Sequence, residues 1–101
     1  MIARMWHGVV PEARAEEYLE YVNKTGAADL RSTRGNQGVF VFRRIQDGKA
    51  EFMLISLWDG YGSIKQFAGE DYEKARYYPE DEKFLLALEP HVAHYDVLVK
   101  P

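Results

Sequence analysis

The pattern of apolar and polar positions along the chain predicts a small set of alternating elements. Ile2 to Val10 reads as a strand. Pro11 and Glu12 then open a helix, since proline is tolerated in a first turn and an acidic side chain suits the positive end of the helix dipole. That helix runs to about Lys24, with Ala15, Tyr18, Leu19 and Val22 at the spacing of one apolar face, and Gly26 ends it. A polar loop from Arg31 to Gln37 precedes a second strand, Gly38 to Ile45, rich in valine and phenylalanine. The Asp47-Gly48 pair predicts a tight hairpin, and the third strand follows at once. In that strand six of the seven residues from Phe52 to Trp58 are apolar, broken only by Ser56, which is not the alternation of a sheet with one wet face.

The second half of the chain is more broken. Asp59 or Ser63 caps a helix containing Ile64, Phe67 and Ala68, and Gly69 interrupts it. Asp71 to Tyr77 supplies another helical turn or two before Pro79. Pro79 to Glu82 has the first-turn chemistry of a further helix, with Phe84, Leu85 and Leu88 as its apolar side and Pro90 as its stop. His91 to Val99 alternates as a last strand. The order β-α-β-β-α-β predicts a ferredoxin-like α+β fold, one antiparallel sheet with both helical segments on one face. Strands two and three are apolar on both sides, so the face the helices leave bare needs a cover. A second copy packed sheet against sheet with twofold symmetry is the economical one.

Composition sharpens this picture mainly by exclusion. With 101 residues, 47% hydrophobic and 29% charged, the chain is expected to form one domain, residues 1–101, with one core. A net charge of -3 argues against nucleic acid and against an acidic membrane surface as partners. The absence of cysteine removes disulfides, thiolate metal sites and a cysteine nucleophile, and fits a cytoplasmic protein. No apolar run reaches the roughly 18 residues of a membrane span, and the opening Met1 to Trp6, interrupted by Arg4, reads as the start of structure rather than a signal peptide.

The short first strand, the hairpin, the Ser56-Leu57-Trp58 ending of strand three, the helix bearing Phe67 and the closing His94-Tyr95-Asp96-Val97 strand resemble the antibiotic biosynthesis monooxygenase superfamily over nearly the whole chain. The Tyr77-Tyr78-Pro79-Glu80-Asp81 run adds to the resemblance. It implies a dimeric α/β barrel. It also implies one of three activities: oxidation of electron-rich phenols and quinols without metal or flavin, haem degradation, or binding without turnover. Trp58 matches the superfamily's tryptophan at the end of strand three. Where haem-degrading members carry an asparagine in strand one and a histidine in the helical segment, this chain has Trp6 and His7, and Tyr77 and Tyr78.

The candidate catalytic residues are therefore Trp58, His7 and Tyr77, and the candidate substrate-binding residues are Arg4, Phe67, Tyr72, Tyr78 and His94. An indole at a strand end can wall a pocket and stack on a flat ligand, or simply fill the core. The tyrosines can orient a substrate hydroxyl, or lie as amphipathic surface residues. His7 is a candidate base for a phenol, or a strand histidine satisfied by a neighbour. Its distance from Trp58 could approach ~15 Å at about 3.4 Å per residue, because strands one and three are antiparallel. His91 and His94, three apart in a strand, point to opposite faces and cannot chelate together, so no metal is expected; the last strand lies beside the first and brings one of them towards His7. Arg4, set among apolar residues, is expected to pair with a carboxylate such as Glu51 or to hold an anionic substrate. The acidic run Glu80-Asp81-Glu82 reads as a solvated first helical turn.

Overall fold

A computed structural model describes all residues, Met1 to Pro101. Strand β1, Ile2–Pro11, is the hub of a four-stranded antiparallel sheet in the order β2-β3-β1-β4, with β2 at Asn36–Gln46, β3 at Lys49–Trp58 and β4 at Ala93–Asp96. The Asp-Gly hairpin forms as expected, with Asp47 at φ 53° and Gly48 at φ 74°, the left-handed backbone that a two-residue turn between twisted strands requires. Strand β1 pairs with β3 from Ile2↔Trp58 to Pro11↔Lys49.

Alternation along β3 sorts the sheet into two faces. Ala50, Phe52, Leu54, Ser56 and Trp58 are buried under the helices, whereas Met53, Ile55 and Leu57 point the other way and are half-buried. Phe40 and Phe42, register partners of Ile55 and Met53, stand on the same bare face, 51% and 50% exposed and stacked on each other at 5.7 Å. The covered face packs against Ala15, Tyr18 and Val22 of α1, Ala15–Lys24.

Several boundaries differ from the periodicity reading. Gly26 does not end the first helical segment. The chain breaks at Thr25, whose Oγ1 donates to the Tyr21 carbonyl at 2.8 Å, and resumes as α2, Gly26–Ser32, which buries Ala27 and Leu30. A hydroxyl bonded back one turn bends a helix, and the helical pattern then continues in a new direction. Helix α3 spans Tyr61–Ala68 with neither Asp59 nor Ser63 bonding its terminal amides; Ser63 Oγ donates instead to Asp59 Oδ1 at 2.6 Å. Asp71 to Tyr77 is not helical, and α4 is a single turn, Asp81–Phe84. Leu85 and Leu86 leave the helical path because the Leu86 amide donates to the Val9 carbonyl at the end of β1. The last strand is shorter than its pattern, pairing with β1 only over Ile2–Met5. No helix is long and apolar enough to cross a membrane.

Candidate active site between sheet and helices

The covered face of the sheet holds a cavity of about 40 Å³, room for two or three water molecules. Its floor is Arg4 and Trp6 from β1 with Leu54 and Ser56 from β3. Tyr18 and Val22 of α1 with Leu30 of α2 form the roof. Phe67 of α3, Arg76 and Tyr78 from the irregular stretch after it, and Asp81 at the start of α4 form the side wall. The Thr25-Gly26 break between the helices also opens onto it. A Cβ on Gly8, two residues beyond Trp6 on the same face, would lie 2.5 Å from the Trp6 ring, so glycine there lets the indole lie flat along the sheet.

Arg4 dominates the electrostatics. It is 3% exposed and makes no ion pair, in contrast to the expected partnership with Glu51. Glu51 alternates onto the opposite face, where it binds His7 and Arg44. Arg4 Nη1 donates to the Tyr72 carbonyl at 2.5 Å and to His94 Nε2 at 3.1 Å, and Nη2 donates to the Lys74 carbonyl at 3.3 Å. Burial lowers the guanidinium pKa to about 10, which leaves it charged at neutral pH. His94 must be neutral to accept that bond, and its pKa is lowered by burial and then by the Arg4 charge. Phe67 lies against two guanidinium groups, Arg4 at 5.6 Å and Arg76 at 4.8 Å from its ring centre. Arg76 differs from Arg4 in having a carboxylate, Asp29 Oδ2, at 3.6 Å.

Asp81 is the acid of the cavity. It is 5% exposed rather than solvated as its sequence setting suggests. Oδ1 accepts from Tyr18 Oη at 2.9 Å and Oδ2 from the Tyr78 amide at 2.6 Å, yet burial outweighs both bonds and raises its pKa. The Trp6 Nε1–H is buried with no acceptor.

Of the eight residues singled out by sequence, Arg4, Phe67 and Tyr78 line this cavity. Tyr78 Oη donates to Asp29 Oδ2 at 2.6 Å, and burial followed by that carboxylate raises its pKa. Trp58 is fully buried behind the lining: Nε1 donates to Ser56 Oγ at 2.9 Å, and its ring meets Phe67 at 6.2 Å. Tyr72 and His94 flank Arg4 in an aromatic cluster with Tyr61. Tyr77 stands edge-on to Trp6 at 6.3 Å, and its hydroxyl donates to the Glu89 carbonyl at 2.5 Å. His7 is not brought to the cavity. Odd positions of β1 face the bare side of the sheet, where His7 Nε2 meets Glu51 at 3.0 Å and Nδ1 meets Glu89 at 2.6 Å. Neither of the other histidines is brought to His7, since His94 of β4 pairs with Arg4 and His91, ahead of β4, bridges Lys74. Asp81, Trp6, Tyr18 and Arg76 also line the cavity without having been singled out as site residues. The one sequence signal for Asp81 is its place three residues after Tyr78, within reach of that residue's amide.

No family model matches the sequence, and no curated protein does. Solved structures do match, over nearly the full length of both chains. The haem degrader MhuD of Mycobacterium tuberculosis, solved with two haems in its active site, superposes with a TM-score of 0.66 at 12% identity, covering 100% of this chain and 99% of that one. A Bacillus cereus protein assigned by name to the antibiotic biosynthesis monooxygenases gives 0.65 at 15% identity, covering 99% and 95%. The fold is that of the antibiotic biosynthesis monooxygenases. Rv0793 of Mycobacterium tuberculosis gives 0.65 at 14% identity, covering 98% and 96%. The fold implied by the element order is thus matched in three dimensions.

Proposed function

We propose that this chain is an oxygenase needing no metal or flavin, which acts as a homodimer on a small flat phenol or quinol. The observation that carries the reading is the make-up of the cavity. An uncompensated buried cation, Arg4, and a buried carboxylate of raised proton affinity, Asp81, sit among the aromatic side chains of Trp6, Phe67 and Tyr78. A flat ring finds π surfaces there, and its hydroxyl finds a base.

Direct oxidation of a phenol by dioxygen begins with loss of the phenolic proton. Asp81 is the group suited to accept it. Burial raises its pKa, and protonation relieves a buried charge. The phenolate is stabilised by Arg4 in a site where few water molecules screen the field. The electron-rich anion itself reduces dioxygen, a carbon–oxygen bond forms at a ring carbon bearing hydrogen, and loss of water from the resulting hydroperoxide leaves a carbonyl. The protein contributes orientation, a base and exclusion of water. Because an aromatic ring is larger than the two or three waters the cavity holds, the wall from Gly69 to Glu80 shifts outward as the ring enters.

Haem degradation gains less from these residues, because all three histidines lie outside the cavity lining. Adding haemin is expected to leave its Soret band as it is in buffer.

The reading is tested by oxygen uptake over a panel of anthrones and dihydroquinones. The wild type is expected to exceed the uncatalysed rate, and Asp81→Asn to lose about 10²-fold or more of that excess. Uptake unchanged in Asp81→Asn would remove the proposed base. Tight binding of the panel with no uptake would leave a binding module in place of an enzyme.

A further inference from the structure

The hydrogen-bond inventory of Arg4 narrows the substrate class. A guanidinium has five N–H bonds. Three are used here: both on Nη1, to the Tyr72 carbonyl and His94 Nε2, and one on Nη2, to the Lys74 carbonyl. The two left over are on Nε and Nη2, neighbouring nitrogens of one edge of the planar group, and a guanidinium edge is spaced to meet two oxygens of a single carboxylate. No carboxylate of this chain takes that edge. Glu51 is on the far face, Asp29 serves Arg76 and Tyr78, and Asp81 is held by Tyr18 and the Tyr78 amide. The residue carrying this unfilled fork is 97% buried by the complement of its 3% exposure, and it lines the cavity. A neutral quinol leaves the fork half-filled, whereas a carboxylate satisfies it and supplies the missing counter-charge.

Building on the cavity being the substrate site, we propose that the natural ligand is an aromatic carboxylic acid, its carboxylate bound side-on by Arg4 Nε and Nη2 and its ring lying against Phe67. The Tyr72 and Lys74 carbonyls and His94 occupy the other N–H groups of the guanidinium, so one N–H on Nε and one on Nη2 are left for a ligand.

The test compares 4-hydroxybenzoate with 4-hydroxybenzamide, matched in shape and hydroxyl but differing in charge, by calorimetric titration of the full-length wild type at about neutral pH. The carboxylate is expected to bind at least about tenfold more tightly, the least expected from one charge-assisted bidentate pair. Arg4→Lys, which keeps the charge and loses the fork, is expected to erase most of that preference while circular dichroism shows an unchanged fold. If Arg4→Lys does not fold, the comparison of the two ligands on the wild type still decides. Equal affinities, or no binding of either, would overturn the carboxylate site. Oxygen electrode traces on the same samples separate the two ideas. Carboxylate-selective binding without uptake on any substrate leaves the site standing and removes the oxygenase. Uptake on neutral quinols without carboxylate preference does the reverse.

Discussion

Arg4 and His7 lie three residues apart on one strand, and the alternation of β1 gives them opposite fates. Arg4 turns under the helices without a counter-ion, whereas His7 turns outward between two carboxylates. Both ring nitrogens of His7 face carboxylate oxygens, which only the doubly protonated imidazolium satisfies. Burial works against that charge, but the hydrogen bonds and charges of Glu51 and Glu89 prevail and raise the His7 pKa. A raised folded-state pKa means a stabilising contribution that is complete below the unfolded value of about 6.5 and is lost as pH rises through the folded value. Wild type is therefore expected to exceed His7→Gln in urea midpoint at about pH 5.5, with the gap closing towards about pH 9. A gap that widens with pH would mean that His7 is not held as the cation. Trp58 makes a different kind of prediction. Fully buried and bonded through Nε1 to Ser56, it is expected to cost ~3–5 kcal/mol of folding stability on replacement by alanine, measured by chemical denaturation. A loss under ~1 kcal/mol would show that the indole is not the core piece described.

Among the elements, the contrast lies between the sheet with α1 and the run from Gly69 to Glu80. The first are paired or packed along their length. The second follows a left-handed Gly69, φ 86°, and is tied down by a bridge between Lys74 and His91 and by side chains reaching it, Arg4 among them. Its amides are expected to exchange with solvent faster than those of β1 and β3, and to slow when a cavity ligand binds; uniform protection across both would deny it the role of movable wall. The same contrast explains what could be read from sequence. Strands and α1 were legible because β3 shows as a nearly continuous apolar run following an Asp-Gly turn, and α1 as the 3.6 period through Ala15, Tyr18 and Val22, both of which report burial directly. The helix predicted at Asp71 to Tyr77 was not, because helical propensity there is overruled by the pull of Arg4 on the Tyr72 and Lys74 carbonyls. Asp81 was illegible for a related reason. Nothing in an acidic run says which carboxylate will be drawn under a tyrosine 63 residues away.

For the whole molecule, the bare face of the sheet remains the largest feature. Phe40, Phe42 and Tyr95 are half or more exposed there, beside half-buried Met53, Ile55 and Leu57. A patch of this kind on a sheet is suited to association, and the homodimer we propose would cover it with the identical patch of a second copy. Sedimentation is expected to show a dimer that Phe42→Asp converts to monomer without loss of fold; a monomeric wild type would leave the bare face unexplained. The central claim, that the cavity between sheet and helices is where an aromatic ligand sits, is most directly tested by the indole N–H signals in a nitrogen-correlated NMR spectrum. The chain has two tryptophans, one lining the cavity with its N–H unbonded and one behind it bonded to Ser56, so two separate reporters exist. Titration with 4-hydroxybenzoate or a dihydroquinone is expected to move the Trp6 signal strongly and the Trp58 signal little, with the amides of Phe40 and Phe42 unmoved. Shifts confined to the bare face, with Trp6 unchanged at saturation, would contradict the account.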